Sequence, residues 1–224
     1  MLRSALAVAL FVLPACGASL SDFSTSALSL DQQADGRVVV ELTNPRGNCA
    51  TLGGDVRATV NGLPMALDSS GGEAGSRGGW SCRAPQFSLS SADVAGLSGA
   101  DAEVVIGDGS TRLVLEARNF FAARSMVADR YEDGGDHGRK TMTFRWVPET
   151  DAHRSASWRL RDATGAHFGE ARIDSHFVAV DLPGSAAERA TLWMEGRAQA
   201  PVVRCQGVAD CRATVRTTTG DLAL

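Results

Sequence analysis

The chain has 224 residues, 44% of them hydrophobic and 21% charged, and a net charge of −4. That is room for one large or two small folded domains, and the composition is too apolar for a disordered chain. The acidic balance argues against nucleic acid as a partner, because phosphate binding calls for a basic face.

Met1-Leu2-Arg3 forms a short charged start, followed by an apolar run from Ser4 to Leu13. That run is too short to cross a hydrocarbon core about 30 Å thick, and it predicts an export signal. Leu13-Pro14-Ala15-Cys16 resembles the lipobox of bacterial lipoproteins; Leu13, Ala15 and Cys16 match, while Pro14 departs from the pattern. The resemblance implies a signal peptide over 1–15 and lipidation of Cys16. It further implies a short tether over 16–21 and a membrane partner held through that lipid. Gly17 follows the cysteine in place of an aspartate, which for a Gram-negative source implies the outer membrane. The rival reading is simple cleavage after Ala18, which gives a periplasmic or secreted protein.

From residue 22 onward the pattern is alternation with period two. Val38, Val40 and Leu42 oppose Arg37, Glu41 and Thr43, and Val56, Ala58 and Val60 oppose Arg57, Thr59 and Asn61. This predicts antiparallel strands packed on one side. The expected strands of the first half are 23–30, 37–43, 55–60, 65–68, 86–89, 102–106 and 111–118. "SSGGEAGSRGG" at 69–79 lacks the lysine and the following helix of a phosphate loop and reads as a mobile loop. Trp80, beside Cys82, is a candidate ligand-binding ring. "SSADVAG" at 90–96 predicts one helical turn capped by Ser90 or Ser91.

A boundary falls near "ARNFFAARS", 117–125, dividing a domain at 22–118 from one at 125–218 through a linker at 119–124, with a tail at 219–224. The expected strands of the second half are 125–128, 140–147, 156–161, 167–173, 176–182, 190–198 and 211–218. "DRYEDGGDHGRK" at 129–140 gathers Asp129, Glu132, Asp133, Asp136 and His137. Its spacing fails the calcium-loop pattern, so it reads as a solvated loop, with those four carboxylates the candidates should a metal bind. Trp146 and Trp158 fall on core faces, whereas Trp193 alternates with Leu192 and Met194 and is the candidate outward ring. With alternating runs every ten to fifteen residues, residues 120–218 resemble an immunoglobulin-like or fibronectin type III-like sandwich. The fold expected is therefore all-β, two tandem antiparallel β-sandwiches after an N-terminal signal; a single larger sandwich or barrel is the alternative.

Setting Cys16 aside leaves Cys49, Cys82, Cys205 and Cys211, an even set that in an exported protein predicts disulfides. Sequence proximity favours Cys49–Cys82 and Cys205–Cys211 among the three possible pairings. Zinc would call for close Cys-x₂₋₄-Cys pairs, which are missing. His137, His153, His167 and His176 form no metal or nucleophile motif, so no cofactor and no catalytic residue is predicted. The expectation is a non-enzymatic envelope lipoprotein serving adhesion, scaffolding or ligand binding. The alternatives are a hydrolase with a non-local site or a purely structural spacer.

Overall fold

The computed structural model describes residues 18–43, 49–76, 79–97, 99, 101–133, 140–149, 151–182 and 190–224. Alternation yields strands as expected. In the first half these are β1 (Ala27–Gln32), β2 (Val38–Thr43), β3 (Arg57–Val60), β4 (Leu63–Pro64), β5 (Ala66–Ser76), β6 (Gly79–Leu89), β7 (Ala102–Gly107) and β8 (Arg112–Ala117). In the second they are β9 (Ser125–Asp133), β10 (Lys140–Val147), β11 (Ala152–Asp162), β12 (Gly165–Glu170), β13 (Arg172–Asp174) and β14 (Phe177–Leu182), then β15 (Thr191–Gln199), β16 (Val202–Gln206), β17 (Asp210–Thr218) and β18 (Leu222–Ala223). The one α-helical turn among the described residues, α1 (Ser91–Val94), is capped by Ser90, whose side chain accepts from the Asp93 amide. The fold is an all-β sandwich.

Among the described residues, three sheets build it. A nine-stranded sheet runs β12-β11-β15-β17-β1-β2-β6-β5, with β18 beside β15. A four-stranded sheet, β13-β14-β10-β9, and a five-stranded sheet, β16-β8-β7-β3-β4, complete the layers. Their inner faces merge into one buried cluster that includes Leu28, Leu30 and Val40 of the large sheet, Ile106 and Leu115 of the five-stranded sheet, and Phe144 and Val180 of the four-stranded one. Trp146 is fully buried, as its alternation predicts. Its ring occupies the space above Gly196, where a Cβ would lie 2.2 Å from Trp146 Cζ3; glycine is needed there for close approach. Trp158 is half-buried at the margin of the same core.

Four features depart from the sequence reading. First, β1 pairs with β17 in parallel, Ala27 opposite Asp210 and Asp31 opposite Thr214, so the sheets are not purely antiparallel. Second, β16 pairs with β8 and β17 with β1: a hairpin from the second half supplies strands to sheets of the first, across the boundary drawn at 119–124. Third, the ends are docked. Ala18 donates to the Thr51 carbonyl at 2.7 Å and Leu20 is buried, within the segment expected as a tether; Leu222–Ala223, in the expected tail, pairs with β15.

Fourth, most of the glycine-rich stretch is not a loop. β5 and β6 pair from Ala66 opposite Ser88 to Ser76 opposite Gly79. Gly71 and Gly72 adopt φ of 89° and 101°, and a Cβ on Gly71 would meet the Ala50 carbonyl at 2.5 Å. Only glycine allows the strand to pass this close to residues 50–52. The Cys49–Cys82 disulfide fastens the same segment to β6, and Cys205–Cys211 joins β16 to β17, both as expected from proximity.

Candidate functional site

One face of the nine-stranded sheet packs into the core; on β12, β11, β15 and β17 the other face carries exposed and half-buried side chains, whereas on β2 Val39 of that face is buried. Strand register sets what this outer face presents beyond β17. Phe168 on β12 lies opposite Arg159 on β11, and Arg159 lies opposite Trp193 on β15. The three form a row across three adjacent strands. At about 4.8 Å per strand, the two rings stand roughly 10 Å apart. Phe168 is 71% exposed, the most exposed large apolar side chain among the described residues. The Arg159 guanidinium carbon sits 5.4 Å from the Trp193 ring centroid, a cation–π distance.

Arginines surround this row. Arg161 shares the face of Arg159, two residues on; Arg197 extends from β15, and Arg212 and Arg216 from β17. Arg197 and Arg216 share Glu195, at 3.3 and 3.4 Å, and Arg212 pairs with Asp210 at 2.9 Å. Arg159 and Arg161 are exposed and make no ion pair among the described residues. Hydroxyls and carboxylates fill in between them: Ser157 lies opposite both Glu170 and Glu195, and Glu195 opposite Thr218. Where β15 leaves β17, a shallow cleft of ≈ 340 Å³ opens between Ala152, Gln199, Pro201 and Arg212. Arg154 donates to Gln199 at its edge.

The remaining candidates lie elsewhere. Trp80 is on β6, four strands from Trp193 in the sheet order. Asp129 is the extra residue of a bulge in β9, where Ala128 and Arg130 pair with consecutive residues of β10, and Glu132 is paired with Arg130 at 3.0 Å. The segment expected as a loop over 129–140 is thus strand to Asp133, the end of β9, and again from Lys140. Asp136, His137 and Cys16 lie outside the described residues. No group of three or more His, Cys, Asp or Glu side chains among the described residues is placed to hold a metal.

Buried polar chemistry is concentrated where the halves meet. Arg124 donates to Asp151 at 2.7 Å, with both side chains almost fully buried, and its other nitrogens take the carbonyls of Asn119, Phe120 and Ala122. Trp146 Nε1 donates to the same carboxylate at 3.1 Å. His153 packs against the Trp146 ring, centroids 4.6 Å apart, and its Nε2 is buried without a hydrogen-bond partner. Burial pushes the His153 imidazole below the usual histidine pKa; the Asp151 carboxylate opposes the shift and His176 adds to it. His167 lies 3.3 Å from Asp162. That carboxylate is held below its usual pKa mainly by the Thr164 hydroxyl, which fits a turn clamp between β11 and β12.

No protein-family profile matches the chain, and no curated protein does. Among solved structures, a Bacillus subtilis type I pullulanase crystallised with maltose aligns at TM-score 0.25 and 11% identity, over 76% of this chain and 23% of that one. A DUF3823-family protein from Bacteroides ovatus aligns at TM-score 0.21 and 9% identity, covering 89% of this chain and 97% of that one. A candidate carbohydrate-binding protein from Bacteroides uniformis aligns at TM-score 0.21 and 13% identity, covering 90% and 98%. At these scores the superpositions carry no functional argument.

Proposed function

We propose that the chain is a non-enzymatic envelope lipoprotein that binds a ligand, in adhesion or scaffolding, through the outer face of its nine-stranded sheet. The observation that carries this is the row Phe168–Arg159–Trp193. A phenyl ring 71% exposed on a mostly polar face contributes nothing to the core, and aromatic rings beside arginines are the residue types that dominate binding surfaces. Anchoring through Cys16 would hold the body close to the bilayer, because the chain is docked from Ala18 onward and two residues span only about 7 Å. No helix among the described residues is long and apolar enough to cross a membrane.

An array of glycans and peptides, probed with purified protein and with Phe168→Ala, tests the binding reading. Retention on some feature that the variant loses, with the retained ligand recovered intact, supports it. A wild-type protein silent on every feature, or a ligand recovered cleaved, overturns it. Intact mass tests the anchor: an acylated chain beginning at Cys16 supports it, and a bare chain beginning at Ser19 refutes it.

A further inference from the structure

We infer that the occupant of this face is an acidic polysaccharide, its carboxylates held by Arg159 and Arg161 and its sugar rings lying against Phe168 and Trp193. The inference rests on the binding reading above and adds the ligand's chemistry. Arg154, Arg159, Arg161, Arg197, Arg212 and Arg216 come from three adjacent strands, β11, β15 and β17. They collect on one face of a chain whose net charge is −4. Four of the six already have partners, in Gln199, Glu195 and Asp210. The two left unpaired are those flanking the rings, and a guanidinium fork matches a carboxylate in bidentate geometry.

The surroundings narrow the anion further. Ser157, Thr191, Thr218, Glu170 and Glu195 stand on the same face by register. Hydroxyls and carboxylates among the arginines give acceptors as well as donors, which suits a hydroxyl-rich chain carrying at most one carboxylate per sugar. A polyphosphate, whose negative charges are packed more closely along the chain than one carboxylate per sugar, would meet Glu170 and Glu195 as stronger repulsion. Two rings in one row roughly 10 Å apart suit a polymer lying across the strands, the exposed Phe168 offering its face to one sugar and the half-buried Trp193, with Arg159 over its ring, its margin to the next.

The test is affinity electrophoresis and calorimetry of the full chain with polygalacturonate, alginate and hyaluronan. Fully methyl-esterified polygalacturonate, a thymidine oligonucleotide and phosphatidylglycerol vesicles serve as comparisons. Expected is binding to at least one acidic polysaccharide that weakens with added salt and about tenfold or more in Arg159→Gln/Arg161→Gln, with melting temperature unchanged. Methyl esterification is expected to abolish it. Equal binding to the esterified polymer would refute the ionic part and leave the binding reading standing. Binding confined to the oligonucleotide or the vesicles would refute the polysaccharide. Silence toward every acidic polysaccharide overturns the inference; the array then decides whether the binding reading falls with it.

Discussion

His153 shows what a single side chain contributes at a margin of the core. Its Nε2 is buried without a hydrogen-bond partner, so the neutral ring is tolerated and the imidazolium is not. The folded-state pKa is depressed, below the value of about 6.5 expected in the unfolded chain. Between those two values the unfolded chain binds a proton that the folded one does not. Stability therefore falls as pH drops through about 6.5 and levels off below the folded-state pKa. Urea midpoints measured between pH 7.5 and 5 are expected to fall, and His153→Phe is expected to flatten that limb; an equally steep fall in the variant would assign it to other groups.

The same residue scale shows how far the site could be read. Trp193 is legible as an outward ring because Leu192 and Met194 alternate with it. Arg159 and Arg161 stand opposite Trp158 and Leu160 in the same way. Phe168 was missed: its neighbours His167 and Gly169 do not mark an inward face, and only the pairing of β12 with β11 shows which way it points. That Phe168, Arg159 and Trp193 fall in one row is a matter of strand register, which no local pattern specifies.

Among the elements, those with alternating side chains were legible and those without were not. The paired stretch through Gly71 and Gly72 has no side chains at those two positions to alternate, and glycine reads as a breaker wherever it clusters. Here the reason for glycine is tertiary: the Ala50 carbonyl and the Pro85 ring occupy the space a Cβ would need. β16 was hidden differently, since Val203, Arg204 and Cys205 are all exposed and a strand at a sheet's margin shows no apolar face. Between elements, the Arg124–Asp151 pair ties the 119–124 turn to the end of β10 and the start of β11. Arg124→Ala removes the counter-charge of a buried carboxylate, which keeps only the Trp146 donor, and the guanidinium donor of the Phe120 and Ala122 carbonyls. Removing one partner of such a pair costs about 3–5 kcal/mol. A comparable fall in unfolding free energy is expected in urea titration; a loss under 1 kcal/mol, as for an exposed pair, would show that the turn relaxes and rehydrates.

At the scale of the molecule, β17 is a shared part. Residues 210–214 pair with β1 and residues 214–218 with β15, so one strand belongs to the sheet regions of both halves. The buried cluster is likewise continuous across the three sheets. Equilibrium unfolding of the full chain is therefore expected as one cooperative transition. A fragment comprising residues 18–118 lacks one of the two neighbours of β8 and of β1, and it is expected to give poorly dispersed amide resonances. Co-expression with a fragment carrying residues 125–224 is expected to restore the native spectrum; an independently folded 18–118 fragment would refute the shared-strand account.

The loan of β16 and β17 to the earlier strands also sets a timetable. A chain that emerges from the N-terminal end pairs β1 with β2 and β8 with β7 but leaves the other edge of β1 and of β8 open long before β17 and β16 exist. Until the hairpin closed by Cys205–Cys211 arrives, both strands present unpaired amides and carbonyls to whatever is nearby. That delay defines an interval in which a holding chaperone, or a second nascent copy, competes with the protein's own C-terminal hairpin for the same two edges.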